Sequence, residues 1–318
     1  MRTVALALAI VAAALPAAAE TYPNHPIELV VPFVAGGTTD TVARLIAQRL
    51  TDHLGQPAIV NNRPGGGGSI GTTQVARAAP DGHTLLVTTI AFAINASLQK
   101  QPFDPVKDFV PITEIASIPL MLVVHNSLPV HNVKEFIEYS KTQPAGLDYA
   151  TSGPGTSTHL AAEMFKTMTG AKLVHVPFKG NAEVLNALLG GHVKVHFALT
   201  ASTLQHVKNG TLRALAVTTL KRLPDLPDVP TVAELGYPDY EISSWQAVFA
   251  PAGTPKDIIG RLNSEIVAML KTPEVQARII REGAIPVGSS PEQWSERFKN
   301  EVAKWGKVAK SAGLATAN

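Results

Sequence analysis

The 318-residue chain contains no cysteine. That excludes disulfides, thiolate metal sites and a cysteine nucleophile. Charge of one sign is also lacking: 27 Lys and Arg stand against 25 Asp and Glu, a net +2, with the signs interspersed. No basic stripe of the kind that follows a phosphate backbone is present, so no nucleic-acid partner is expected. Beyond the first residues no segment approaches 18 uninterrupted apolar positions, the length at which a membrane span becomes credible. A Walker A motif is missing.

What is present begins with Arg2, an apolar run from Val4 to Leu15, and Ala17-Ala18-Ala19 before Glu20. This is the pattern of a secretory signal peptide with a small-x-small cleavage site, too short to span a bilayer. The mature protein is expected to start at Glu20, with residues 1–19 removed and the product exported to the periplasm. A chain of roughly 300 residues can bury enough apolar surface to stay folded there without disulfides.

The rest of the chain is organised around Leu29 to Asp40, LVVPFVAGGTTD. An apolar strand enters a Gly-Gly turn and a helix begins at once, with Val42, Leu45, Ile46, Leu50 and Leu54 on one face. Thr38, Thr39 and Asp40 occupy its N-cap and first-turn positions. A helix start has up to four unpaired N–H groups and a partial positive charge, and glycine lets a ligand approach the backbone closely. The layout recurs at Leu147 to His159, where a strand ending at Ser152 meets Gly153-Pro154-Gly155 and then Thr156-Ser157-Thr158-His159. Two such anion seats, one in each half, suggest two lobes facing each other across a cleft. Gly-Thr after a strand is also ordinary α/β turn chemistry, so the argument rests on the pair.

Alternating strand and helix patterns predict parallel βαβ units, hence an α/β fold. Strands are expected at Ala58–Asn62, Thr84–Thr89, Asp108–Ile115 and Pro119–His125, then at 147–152, 173–178, 194–199, 212–219 and 243–250. Helices are expected at 70–79, 133–142, 156–169, 182–189, near 202–208 and at 255–270, the last with Thr254 at N-cap and Pro255 at N1. Chain crossings near Ser117–Leu120 and Glu241–Ser244 would join the lobes, dividing the chain into 20–119 with 244–318 and 120–243.

Three rival signals stand in the sequence. Gly66-Gly67-Gly68-Ser69-Ile70-Gly71 matches the dinucleotide pattern G-x-G-x-x-G. The acidic residue sought about 20 positions on is missing, because Asp81 lies in a Pro-Asp-Gly turn. A mobile glycine loop at the cleft rim is expected instead. His192 and His196 alternate with valines as a strand does; four residues along a strand is ~13 Å, too far for one metal, and a solvent-facing strand edge is expected. The ten histidines form no other ligand-like cluster in the sequence. Ser157 and His159, two apart on a helix start, would point about 200° apart and not form a nucleophile–base pair.

Taken together, YPNHPIELVVPFVAGGTTD, VNNRPGGGGSIG, APDGHTLL, PFDPVKDFVPI, GTSTHLAAEMF, VHVPFKG, LRALAVTT, LPDVPTVAELG and FAPAGTPKDIIGRLN resemble, in order, the substrate-binding proteins of tripartite tricarboxylate transporters, the Bug family of bacterial periplasmic receptors. The resemblance implies a two-lobe type II periplasmic-binding fold with a hinged cleft. It implies a receptor that closes on a small organic carboxylate and serves a membrane permease, with a ligand-sensing receptor for a signalling system as the alternative. It also implies no catalytic residues, metal or cofactor, and a monomer. Carried onto this chain, the ligand contacts are Phe33, Ala35, Gly36, Gly37, Thr38 and Asp40 in the first turn, and Thr88 and Thr89 at a strand end. In the second half they are Ser152, Gly155, Thr156, Ser157 and His159, then Phe178 and Lys179, with Trp245 beside the return crossing. Ala198 and Leu199 stand where many members carry Asp-Asn, which favours an apolar or aromatic carboxylate over an amino acid.

Overall fold

The computed structural model describes residues 22–281 and 283–314. The expected signal segment and the expected start at Glu20 lie outside them. Among the described residues no helix is long and apolar enough to cross a membrane.

Strands β1 (Ile27–Val31), β2 (Ala58–Asn62) and β3 (Thr84–Thr89) run parallel, connected through helices α1 (Thr38–Leu54) and α2 (Ser69–Ala76). Ile27, Leu29 and Val31 alternate onto one face of the sheet, where they meet Val42, Ile46 and Leu50 of α1. Val30 points to the opposite core with Leu86. This two-sided burial is why β1 reads as a continuous apolar run. A single 3-10 turn, Gly66–Gly68, leads into α2, and a third helix, α3 (Ala91–Leu98), follows β3. Periodicity did not predict α3. Six of its eight residues are apolar, Phe92, Ala93 and Ile94 are all buried, and little polar contrast marks a face.

Strand β4 (Phe109–His125) corrects the expectation of two separate strands, because its 17 residues run without a break. Its first part pairs with β9 (Ser243–Pro251) as far as Pro119 opposite Ser243, and from Leu120 onwards it pairs with β7 (Val195–Leu199). Proline cannot donate to a ladder. Pro111 falls at a register irregularity, and Pro119 falls where the strand changes partner. The two sheets therefore share β4. The first has the order β2-β1-β3-β9-β4 with the short β10 (Ile285–Pro286) also on β4; the second is built from β4, β7, β5 (Leu147–Thr151) and β6 (Leu173–Pro177), with β8 (Leu212–Val217) on the other side of β4.

Helices α4 (Val133–Thr142), α5 (Ser157–Thr169), α6 (Asn181–Leu189) and α7 (Thr200–Lys208) cover the second sheet; α8 (Lys256–Leu270), α9 (Pro273–Arg281) and α10 (Pro291–Ser311) return to the first. The start of α8 is shifted by one residue from the expectation. Pro255 is the N-cap, and the Thr254 hydroxyl donates to the Pro251 carbonyl at 2.8 Å instead of capping. The architecture is a mixed α/β fold of two lobes. The lobes also touch where Thr200 Oγ1 donates to the carbonyls of Pro119 (3.0 Å) and Gly283 (3.3 Å).

Candidate functional site

The two glycine turns stand at the ends of β1 and β5, one in each lobe, and their backbones are alike. In each a glycine of positive φ precedes the N-cap: Gly36 at +85° and Gly155 at +72°. The N-caps are extended, Gly37 at φ −79°, ψ 171° and Thr156 at φ −82°, ψ 164°; Gly37 has no side chain to cap with, and that of Thr156 does not cap. First-turn N–H groups of α1 and α5 are thus left for another acceptor. The need for glycine falls on Gly36 and Gly155; Gly37 has ordinary torsions, and a Cβ there would find only the Val34 carbonyl, at 3.8 Å.

Both glycine N–H groups are already taken. Gly36 N–H donates to Asp40 Oδ2 at 2.9 Å, and Gly155 N–H donates to His159 Nδ1 at 3.1 Å. Asp40 is held in turn by Arg44, with Nε to Oδ2 at 3.0 Å and Nη2 to Oδ1 at 3.1 Å. Burial alone would raise the Asp40 pKa, but Arg44, the Gly36 N–H and Asn62 outweigh it and keep the carboxyl below its usual range. His159 stacks on His175 at 4.0 Å between ring centroids, and His175 Nε2 is 2.6 Å from the Thr151 hydroxyl. Burial, with His175 beside it, holds the His159 pKa down at about 4, so the ring is neutral at ordinary pH, as an Nδ1 acceptor must be. Behind it Glu163 accepts from Tyr149 Oη at 2.6 Å and from Lys166 Nζ at 2.8 Å.

The hydroxyls around the α5 start divide into two kinds. Thr156 Oγ1 donates to the Gly153 carbonyl at 2.7 Å, and Thr158 Oγ1 accepts from Ser152 N at 3.1 Å. Ser152 Oγ and Thr156 Oγ1 also lie within 3.1 and 3.0 Å of Thr158 Oγ1. The Ser157 hydroxyl has no partner among the described residues. In the first lobe Thr38 Oγ1 accepts from Gln246 Nε2 at 3.2 Å, and Thr89 Oγ1 accepts from Ala91 N at 3.3 Å.

Asn95 of α3 lies where the two lobes approach. Its Nδ2 donates to the Gly67 carbonyl at 2.7 Å, and its Oδ1 lies 3.6 Å from where a Gly155 Cβ would stand. Phe33, Thr88, Gly67 and Gly68 line one narrow pocket together with Asn95. The first-lobe residues Phe33 and Thr88, the glycine-rich loop and the second-lobe turn therefore converge. Val34 to Thr38 are exposed, whereas Gly155, Ser157 and His159 are buried. Phe178 is half-buried and its N–H donates to the Thr151 carbonyl at 2.9 Å; Lys179 is exposed.

Two sequence-derived site residues stand apart from this group. Trp245 is fully buried, packed edge-on against Trp294 at 4.9 Å, and its Nε1 donates to Glu301 Oε2 at 3.3 Å. Ala198 is fully buried in the second-lobe core with Met121 opposite. Both side chains belong to packing. His196 is a further correction: it is buried, and its Nδ1 donates to the Ala150 carbonyl at 2.9 Å, because β7 lies between β4 and β5 and is no edge. Sequence reasoning missed Asn95, Gln246 and Arg44. The Asp40–Arg44 spacing of four on a helix was a usable signal; nothing local marked the other two.

Folding also assembles a histidine cluster that the sequence does not show. His25, Asp81 and His83 bring ligating atoms within 4.8 Å of one another. His83 Nε2 accepts the Asn24 N–H at 3.3 Å, which puts the ring proton on Nδ1, facing Asp81 Oδ1 at 3.3 Å. A metal would need that lone pair and a donating Nε2.

Comparison with known proteins agrees with this layout. Residues 42–314 match the profile of the tripartite tricarboxylate transporter family receptor. Protein BugT of Bordetella pertussis is 38% identical over 303 residues, covering 94% of this chain and 93% of its own. An R. palustris protein solved with adipate superposes with a TM-score of 0.77 at 41% identity, over 92% of this chain and 99% of that one. MatC from Rhodopseudomonas palustris, solved with malate, gives 0.74 at 32% identity, over 90% and 99%.

Proposed function

Since the chain belongs to the tripartite tricarboxylate transporter receptor family, we propose that it is a periplasmic receptor that closes on a small organic carboxylate and passes it to the family's membrane permease. The observation that carries this reading is the matched pair of turns. Each lobe offers a helix start whose first-turn N–H groups have no side-chain cap, and donors of that kind suit a carboxylate. We assign the ligand to Gly37, Thr38 and Thr88 on one side and to Thr156 and Ser157 on the other, with Phe33 and Phe178 as apolar walls. The lobes divide at 119/120 and 243/244 in this reading, where β4 changes partner and β9 begins. Relatives solved with adipate and with malate support the ligand class. The neutral walls leave aromatic monocarboxylates open beside dicarboxylates. The reading involves no chemical step on the ligand.

The test is a thermal-shift screen of carboxylic acids against the exported protein, followed by calorimetry of each hit and its methyl ester. A ligand of the folded state raises apparent stability by about 2.7 kcal/mol at a hundredfold excess over Kd. The acid should bind and the ester should not. Equal affinity for acid and ester would remove the carboxylate from the reading.

A further inference from the structure

The two turns share a device that neither the receptor reading nor the sequence patterns contain. In both, the glycine immediately before the N-cap gives its N–H to the side chain four residues on, the third residue of the helix: Gly36 to Asp40 and Gly155 to His159. A capping box is related but sends the third side chain back to the N-cap N–H; here it reaches one residue further. The acceptors differ, a carboxylate in one lobe and an imidazole in the other, while the N-cap torsions nearly coincide, φ −79° and ψ 171° at Gly37 against φ −82° and ψ 164° at Thr156. Each acceptor is itself held from behind, Asp40 by the Arg44 fork and His159 by the His175 stack. A glycine at positive φ has wide conformational freedom, and this contact removes it.

Resting on the receptor reading above, we infer that Asp40 and His159 are paired positioning residues: each satisfies the N–H of its glycine and so fixes the direction in which the uncapped first-turn N–H groups of its helix meet the ligand. They touch the turn and act through it. A purely structural role would leave the affinity of the folded protein alone; a positioning role makes affinity depend on the acceptor.

Four variants separate these. Asp40→Ala and His159→Ala remove the acceptor. Asp40→Asn and His159→Asn keep one, and Asp40 itself shows that an oxygen on Cγ reaches a glycine N–H at this spacing. Amide hydrogen exchange at Gly36 and Gly155 is measured on the free proteins, and calorimetry uses adipate, malate and benzoate as probes. Each alanine variant should speed exchange at its own glycine and weaken the tightest probe by about tenfold or more. Each asparagine variant should restore both to within about threefold. Where an alanine variant does not fold, its asparagine partner carries the comparison against wild type. Faster exchange with unchanged affinity overturns the inference, as does an asparagine variant that restores exchange but not binding. If the wild type takes none of the three acids, the receptor reading fails at these probes and the inference fails with it. Normal exchange in the alanine variants overturns the inference alone.

Discussion

Leu98 of α3 and Gly155 of the α5 turn come from different lobes, yet a Cβ on Gly155 would lie 2.7 Å from Leu98 Cδ1. The lobes meet here with no room for a methyl group, beside the turn assigned to the ligand.

The Gly155→Ala variant should suffer twice, from φ of +72° and from Leu98. We expect a loss of about 1–3 kcal/mol in stability and weaker ligand binding. Adding Leu98→Ala should recover the steric part of the binding loss but not the torsional part. Melting and calorimetry of both single variants and the double check this. Strictly additive losses in affinity would mean that the contact does not govern the turn.

Ser157→Ala should spare the fold, because its hydroxyl has no partner among the described residues. A hydrogen bond to a charged group is worth about 1.5–3 kcal/mol, so affinity should fall roughly ten- to a hundredfold. Thr156→Ala, in contrast, should lower the melting temperature as well, through the lost bond to Gly153. An unchanged Kd for Ser157→Ala takes that hydroxyl out of the site.

Stability should show opposing pH terms. Burial pushes Glu114 up to about 7, against Arg297 at 2.6 Å, with Glu301 and Glu241 adding to the rise. A raised acid is protonated more readily folded than unfolded, so its contribution is fully present below the unfolded pKa of 4.5 and is lost as pH climbs through 7. His159 and His196 are held down at about 4, both mainly by burial. Their contributions are full above 6.5 and are lost as pH falls towards 4. Each group is worth up to about 3 kcal/mol. Wild type should gain stability between pH 4.5 and 6.5, because two histidines outweigh one glutamate, and Glu114→Gln should gain about twice as steeply over that interval. Chemical denaturation across pH checks it, and parallel curves would refute it.

Trp245 should be a poor reporter of ligand. Its ring is fully buried between β9 and α10, and Glu301 holds its N–H. Iodide should fail to quench its emission in free and ligand-saturated protein alike. A ligand-dependent change in quenching would mean that α10 moves on closure.

Local patterning carried the fold class and both turns. Apolar runs broken by Gly and Pro placed β2, β3 and α4 at the boundaries observed, since pairing and helix formation there follow from period and punctuation within a few residues. The same patterning missed α3, where burial on several sides erases the contrast, and divided β4 at prolines that the sheet accommodates by shifting register and changing partner. Family resemblance and the paired glycine motifs point to a carboxylate receptor from the sequence.

Tertiary structure alone decided which atoms of those motifs are free. Ser157 and Thr156 are neighbours in sequence, but only folding leaves one hydroxyl unpaired and ties the other to Gly153. Trp245 and His196 looked alike to sequence as residues near a site or an edge; their burial depends on α10 and on the order of β4, β7 and β5. Asn95 reaches Gly155 across 60 positions of chain. Sequence determines what each segment can form by itself, because backbone geometry and hydrophobic period are local. It leaves unstated which distant side chain satisfies a given N–H, because that is settled only when the sheets pack.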